Sequence, residues 1–239
     1  MRISSLTNSM LISNLYLNRA TNQYNKSTER IATGKKLTTD IAGQLGTLAS
    51  LKSHKIQAEV ENENLASAKD VANIKASALQ DITDLMQEIL AEQNASTPNA
   101  DTISAYKDEI DNIIANTKYK DTAVFQESAI SFGSYDLKAS KIAGSDAFDF
   151  TDATTTKASL DKVAAEAGEL SAQSKGIDAR TKINTTTISN LEEAISRIED
   201  VDIAEENIKL AKDNSQQILA ASMISTMQEQ QGNLINLLI

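Results

Sequence analysis

The residue with the clearest catalytic potential is a single histidine. His54 is the only histidine among the 239 residues, and its imidazole could act as a general base near neutral pH. A general base works with a nucleophile and with a group that orients it, and no such set surrounds His54 in the sequence. We therefore interpret His54 as a solvated helix residue and expect the protein not to be an enzyme.

Two short patterns match ligand sites only in part. The segment Gly34-Lys35-Lys36 has the glycine and lysine of a phosphate-binding loop, but Glu29 stands where that motif needs its first glycine. Asp146, Asp149 and Asp152 could hold a calcium ion, but their spacing is not that of a known calcium loop. We expect these aspartates to lie in solvated hairpin turns. The sequence thus predicts no catalytic residue, no cofactor and no metal site.

Charge narrows the possible partners. The formal net charge is −10, whereas a nucleic-acid-binding protein needs a basic face that neutralises phosphates. The same charge argues against an anionic membrane surface, and no apolar run approaches the ~18 residues of a membrane-spanning helix. Residues 1–8 also lack the apolar run of a secretory signal. We expect neither nucleic acid nor a membrane as a partner.

Composition predicts long helices. Aromatic residues make up only 4% of the chain, which leaves a thin core of Ala, Leu, Ile and Val. One Pro and eight Gly leave few positions that interrupt a helix. We predict a mainly α fold, namely a long antiparallel helical coiled-coil bundle with a small β-hairpin region, in which the N- and C-terminal helices pair.

The N-terminal segment carries a narrow stripe suited to a partner helix. Its members recur every three or four residues, in the order Ile3, Leu6, Met10, Ser13, Leu17, Ala20, Tyr24, Ser27 and Ile31. This is coiled-coil spacing over four heptads, and the small members would allow a close approach. The stripe ends at an irregular connector, from about residue 33 to 46.

The middle of the chain changes character twice. A helix resumes near Leu45 and runs to about Asn94, and Asp101 or Thr102 can cap the helix that follows. From about 120 to 156, most of the aromatic residues occur among Gly, Ser, Thr and Asp. This composition predicts the β-hairpin region.

The C-terminal third has the most regular spacing. A stripe runs through Leu160, Val163, Ala167, Leu170, Ser174, Ile177, Thr181, Asn184, Ile188, Leu191, Ile195 and Ile198. It predicts about 40 residues of continuous helix. At Asp202 a charge interrupts the phase, and a second stripe follows through Ala220, Met223, Met227, Gln230, Leu234 and Leu237.

The two chain ends therefore match each other. We predict an inner domain of residues 1–40 plus 200–239 and an outer domain of residues 41–199. The stripes could form an intramolecular core only, but their small side chains favour contacts with further chains. The predicted assembly interface comprises Ile3, Leu6, Met10, Leu17, Tyr24, Ile31, Leu219, Met223, Met227, Leu234, Leu237 and Leu238.

Both ends resemble bacterial flagellins. Near the N-terminus, Asn18, the segment Glu29-Arg30-Ile31-Ala32-Thr33-Gly34 and the segment Ile41-Ala42-Gly43-Gln44 stand in the order typical of that family. Near the C-terminus, the segment from Arg197 to Glu205 is similar to the family's Arg-Ile-Glu-Asp-x-Asp-x-Ala-x-Glu, and Leu234-x-x-Leu237-Leu238 is similar to its closing segment. The resemblance covers about 1–95 and 157–239.

This resemblance implies a structural subunit that polymerises with itself into an extracellular flagellar filament. It implies an inner tube built from the paired ends and an outer tube built from the middle helices, without the variable outer domains. It also implies as partners the flagellar type III export apparatus and the cap and hook-junction proteins. The stretch Leu85–Leu90 lacks the arginines that many flagellins have there, so recognition by the innate immune receptor is not carried over.

Two other readings from the same resemblance stay open. A hook–filament junction protein shares the terminal helices, although that family lacks the closing segment. A secreted flagellin-like protein that acts on host cells would have an interaction role and need not form fibres.

Overall fold

A computed structural model describes residues 2–143 and 148–236, and this part of the chain is mainly α-helical. Its helices are α1 (Arg2–Thr33), α2 (Leu45–Gln93), α3 (Ala100–Asn116), α4 (Ala153–Glu199) and α5 (Ile203–Asn236). Its strands are β1 (Lys118–Tyr119), β2 (Thr122–Ala123), β3 (Ile130–Phe132) and β4 (Tyr135–Leu137), which form two antiparallel two-stranded sheets. The predicted mainly α fold with a small β-hairpin region is confirmed.

The chain divides into two compact units. Unit 1 comprises Met1–Lys52 and Leu191–Ile239, so it combines both ends of the chain. Unit 2 comprises Ser53–Asn190. The assignment of the two ends and the middle to the inner and outer tubes of a filament stays a prediction.

The helices of unit 1 end at residues with a local reason to interrupt a helix. Gly34 follows α1 with a φ of 67°, a left-handed conformation that glycine adopts without steric strain. Asp202, where the sequence stripe changed phase, is the cap of α5, because its carboxylate accepts hydrogen bonds from the backbone N–H groups of Ala204 and Glu205 at 2.9 and 3.1 Å. The charge that interrupts the stripe therefore starts a new helix.

The start of α3 in unit 2 differs from the prediction. Asp101 or Thr102 was expected as the cap, but Asn99 is the cap, and its side chain accepts hydrogen bonds from the backbone N–H groups of both residues. The physical reason is that a capping side chain bonds to N–H groups two or three residues further along. The predicted residues are thus the donors of this cap.

The core of unit 2 is mainly aliphatic, and residues of the hairpin region form part of it. Its buried members include Leu65, Val71, Leu79, Ile82, Met86, Ile89, Ile110, Val124, Leu137, Ile142, Val163, Leu170 and Ile177. The turn between β3 and β4 lies directly on α2, because a Cβ built on Gly133 would lie 2.3 Å from Nδ2 of Asn64. Gly133 also has a φ of 59°, so this turn needs glycine for two reasons.

One position of the predicted α4 stripe was wrong. Ala167 is exposed, and the neighbouring Glu166 is buried in its place. The Glu166 carboxylate lies 2.5 Å from Nζ of Lys75 on α2, which is also buried, and it accepts hydrogen bonds from Oγ of Ser140 and the backbone N–H of Lys141, both at 3.1 Å. An ion pair with this many donors can replace an apolar contact in a core.

Among the calcium candidates, Asp146 lies outside the described residues.

Candidate assembly interface

The two end helices pair along the predicted seam. Ser13 of α1 contacts Met227 of α5, and Ser27 contacts Glu206, so the helices run antiparallel. On α1, the small members of the seam (Ser13, Ala20, Ser27) are buried and the large ones (Met10, Leu17, Tyr24, Ile31) are half-buried. No other helix pair in the described part of the chain has so extensive a close approach of its two backbones. Small side chains permit this approach but leave the larger members partly in solvent.

The α5 side of the seam has a different phase from the predicted stripe. Ala220 is buried and Met227 is half-buried, with its sulfur accepting a hydrogen bond from Oγ of Ser13 at 3.8 Å. However, Leu219 is 62% exposed and Met223 is 47% exposed, so neither is covered by α1. The seam positions are Glu206, Leu210, Asp213, Gln217, Ala220, Ile224, Met227 and Gln231. Several of these seam residues are polar. The prediction relied on the spacing of apolar residues, so it included residues on a neighbouring face of α5.

The remaining predicted interface residues lie where the side chains or the whole residues are not described. Ile3 and Leu6 belong to α1 and Leu234 belongs to α5, but their side chains lie outside the described part of the chain. Leu237 and Leu238 lie outside the described residues altogether. Their role in an interface stays a prediction.

At the end of the seam, a polar cluster ties the two helices together. Glu206 is only 1% exposed, and it accepts hydrogen bonds from Oγ of Ser27 at 2.7 Å and from Nη1 of Arg30 at 2.9 Å. Two other nitrogens of Arg30 donate to the carboxylate of Asp40, at 2.8 and 2.9 Å. We call Ser27, Arg30, Asp40 and Glu206 the clasp. It uses the bidentate geometry that guanidinium and carboxylate groups favour.

The clasp changes the titration of its carboxylates. The hydrogen bonds from Arg30 hold the pKa of Asp40 below its ordinary value. Burial acts to raise the pKa of Glu206, but the hydrogen bonds from Ser27 and Arg30 outweigh it, so that pKa is also lowered. Both carboxylates therefore stay ionised at neutral pH, and Arg30 is held between two negative charges.

A second set of contacts joins the connector after α1 to the break between α4 and α5. The backbone N–H of Lys36 donates to the carbonyl of Glu199 at 2.6 Å, and the N–H of Val201 donates to the carbonyl of Gly34 at 3.1 Å. The Glu199 carboxylate pairs with Lys52 and Lys35, and these hydrogen bonds lower its pKa. Nζ of Lys36 donates to the last carbonyls of α4, where a cation is favoured.

These contacts explain what the two sequence motifs do. The Glu-Arg-Ile motif supplies Arg30, and the segment after it supplies Gly34, while the C-terminal motif supplies Glu199 and the cap Asp202. The two motifs therefore meet in unit 1. In these motifs, Glu199 pairs with lysines and Asp202 caps a helix.

Unit 1 leaves a large apolar surface uncovered. Ten of the thirteen large apolar side chains that are exposed in the described residues belong to it, namely Leu11, Ile12, Leu15, Tyr16, Leu45, Ile203, Ile208, Ile218, Leu219 and Met223. Exposed apolar side chains that occur singly are normal, but so many on two paired helices mark an interaction surface. Nine of these ten lie on α1 or α5, and of those nine only Leu219 and Met223 were among the predicted interface residues.

A groove of about 880 Å³ runs along one side of the α1–α5 pair. One end is apolar and is lined by Ile12, Tyr16, Leu219 and Met223. Toward the other end, cations predominate: Arg19, Lys26, Lys209 and Lys212 line it together with the acid Asp213, and Lys209 is paired with Glu205 and Glu206. A basic groove in a chain of net charge −10 is a local departure from the average surface.

The ligand-site candidates of the sequence are not brought together. His54 is exposed on α2, and Asp149 accepts hydrogen bonds from Thr151 while Asp152 caps the start of α4. Within the described residues there is no group of three His, Cys, Asp or Glu side chains that could hold a metal ion. Within those residues, too, no helix is long and apolar enough to cross a membrane.

Comparison with known families identifies the C-terminal part of the chain. Residues 151–238 match the model of the bacterial flagellin C-terminal helical region. These residues are therefore similar to the C-terminal region of flagellins. The matched segment contains α4, the break at 200–202 with its cap Asp202, and α5. The flagellins are structural proteins rather than enzymes. A comparison of the whole chain with curated proteins found no match.

Sequence reasoning missed or only partly found three features of unit 1. The clasp joins Ser27 and Arg30 to a carboxylate about 180 positions away, which no local pattern reveals. The cations that line one end of the groove were not predicted, because the net charge of the whole chain is negative. A signal for the exposed surface was present, since Leu11 and Leu15, like Ile12 and Tyr16, lie four residues apart and so share a helix face.

Proposed function

We propose that the protein is a flagellin subunit that polymerises into the bacterial flagellar filament for swimming motility. The observation that carries the proposal is the uncovered apolar surface of the α1–α5 pair, in a chain whose residues 151–238 match the flagellin C-terminal helical region. A surface of this kind is favourable only when a neighbour covers it. Copies of the same chain are the partners that the family match supports.

The energetics support assembly. Burying the exposed part of a half-exposed Leu, Ile or Met contributes about 1 kcal/mol, so ten such side chains contribute about 10 kcal/mol before the entropy of association is subtracted. Association itself costs about 4–15 kcal/mol, so a subunit needs several neighbours at once. A helical polymer provides them, because its contacts are heterologous and do not close into a ring.

The proposed mechanism couples ordering of the chain ends to assembly. The seam buries small residues such as Ser13 and Ala20, which contribute little on their own. Neighbouring subunits would add the missing apolar contacts, including those of Leu219 and Met223. In this arrangement, the paired ends form the inner tube and the middle helices form the outer tube of an extracellular filament. The chain would leave the cell through the flagellar type III export apparatus and meet the cap and hook-junction proteins.

Removal of one chain end tests the proposal. A chain that lacks about 35 N-terminal residues loses the whole of α1, so we expect a soluble, helical monomer that does not polymerise. Sedimentation at rising protein concentration, followed by electron microscopy, gives the readout. Normal filaments from the truncated chain would refute the proposal, and so would full-length chain that never forms fibres, as a secreted protein acting on host cells would behave.

A milder variant separates assembly from folding. Leu11→Ser with Leu15→Ser changes exposed side chains of α1, so the helical content of the monomer should not change while the critical concentration for polymerisation rises. Asn18→Ser with Asn22→Ser is the matched control on exposed polar positions of the same helix. Equal polymerisation of both variants would mean that the apolar surface has no part in assembly.

A further inference from the structure

One wall of the groove has a defined order of side chains. Along α1, two apolar residues, Ile12 and Tyr16, are followed by two cations, Arg19 and Lys26, and all four line the groove and are exposed. The steps between them are four, three and seven residues, which keep them on one face of the helix. They extend over about 21 Å at 1.5 Å per residue.

The same steps occur on the exposed face of α2 with the opposite charge. Ile56 and Val60, which are 58% and 48% exposed, are followed by the exposed acids Glu63 and Asp70. The steps are again four, three and seven residues, so this stripe also extends over about 21 Å. We call these four residues the acidic stripe.

We propose that the groove of one copy binds the acidic stripe of a second copy. This inference rests on the proposed function and names one of the contacts between subunits. With α2 of the second copy parallel to α1, Ile56 and Val60 meet Ile12 and Tyr16 at the apolar end. Glu63 then lies beside Arg19, and Asp70 lies beside Lys26.

Charge complementarity supports a second copy as the occupant. Among the described residues, Arg19, Lys26, Glu63 and Asp70 form no ion pair within 4.0 Å, although the charge of Lys26 also acts on the carboxylate of Asp40. On the other wall, Lys212 adds a further positive charge beside the same end of the groove. An acidic helix would therefore be attracted there, whereas a helix with a neutral or basic face would not. The apolar ends supply contacts that salt does not screen.

Charge reversal tests the contact in the full-length chain. The groove variant carries Arg19→Glu and Lys26→Glu, and the stripe variant carries Glu63→Lys and Asp70→Lys. Each variant places like charges opposite each other, so we expect its critical concentration for polymerisation to rise at least about tenfold, or about 1.4 kcal/mol per subunit. The chain with all four substitutions restores opposite charges and should polymerise within about threefold of the wild type. Sedimentation at low ionic strength measures each value.

Mixing distinguishes contact between copies from contact within one chain. The groove variant has an acidic groove and an acidic stripe, and the stripe variant has a basic groove and a basic stripe. A 1:1 mixture should therefore form copolymers at protein concentrations below the critical concentration of either variant alone. A mixture no better than its components would overturn the proposal, as would either variant polymerising like the wild type.

A control variant excludes a general effect of net charge. Lys157→Glu with Lys175→Glu makes the same change in charge on exposed positions of α4, and it should polymerise within about threefold of the wild type. If it fails as the groove variant does, the proposed contact is wrong. Far-UV circular dichroism checks that every variant is folded. Wild-type chain that does not polymerise would refute the proposed function itself, which is a separate outcome.

Discussion

The buried ion pair of unit 2 provides a quantitative test of the core. Lys75 and Glu166 have side chains that are 3% and 4% exposed, and their charged atoms are 2.5 Å apart. Lys75→Met removes the cation but keeps a flexible side chain that can fill the space beside Phe125. Glu166 is then left buried without its cation, although Ser140 and Lys141 still donate to it.

The expected loss of stability in Lys75→Met follows from removing the cation that compensates the buried carboxylate of Glu166. Leaving one member of a buried pair without its partner costs about 3–5 kcal/mol, and the two remaining donors place this case near about 3 kcal/mol. In the double variant with Glu166→Gln, the amide oxygen still accepts from Lys141 and no charge is buried. We therefore expect the double variant to recover to within about 1.5 kcal/mol of the wild type. Urea unfolding followed by far-UV circular dichroism measures both free energies.

A matched control uses the same substitution on the same helix. Lys69 pairs with Asp178 at 2.8 Å, but the side chains are 31% and 63% exposed. Lys69→Met should therefore cost at most about 1 kcal/mol. The reasoning is refuted if Lys75→Met costs less than about 1 kcal/mol, or if the double variant is no more stable than Lys75→Met alone.

Three further predictions concern the turn, the clasp and its pH dependence. Gly133→Ala should destabilise the chain by about 1–3 kcal/mol in urea unfolding, because alanine disfavours a φ of 59° and its Cβ would collide with Asn64; no change would show that the turn adjusts freely. Arg30→Ala leaves Glu206 buried with one donor fewer, so hydrogen exchange of the α1 amides should speed up about tenfold or more, and unchanged rates would exclude a role for the clasp. The pKa values of Asp40 and Glu206 are lower in the folded chain, so the clasp stabilises it above about pH 4, near the unfolded values, and this contribution is lost as the pH falls through the folded values. Urea unfolding at pH 5 and pH 3 should thus show a smaller acid-induced loss for Glu206→Gln than for the wild type, and an equal loss would contradict the argument.

The sequence predicted those elements that depend on local spacing. The α1 stripe was correct from Met10 to Ile31, because the seam recurs every three or four residues along one helix. The connector near Gly34 and the break at Asp202 were also predicted, since a glycine and a charge interrupt a helical stripe wherever the chain goes next. The family match at residues 151–238 agrees with the motif between Arg197 and Glu205.

Whether other positions are buried depended on the element that packs against them. Whether Ala167 or Glu166 of α4 points inward is decided by Lys75 on α2, which lies about 90 residues away and supplies the charge that makes a buried glutamate tolerable. Likewise, Leu219 and Met223 look like seam residues in isolation, but the small side chains of α1 bring the helices together along a different face.

The sequence by itself determined which segments are helical, where they are interrupted, and that both ends carry stripes suited to a partner. These properties arise from contacts between residues a few positions apart, so they can be read without knowing the fold. Only the tertiary structure decided which charges meet, as Arg30 meets Asp40 and Glu206, and which apolar side chains remain uncovered. The physical reason is that burial and charge pairing depend on the element opposite, and a one-dimensional pattern does not specify that element.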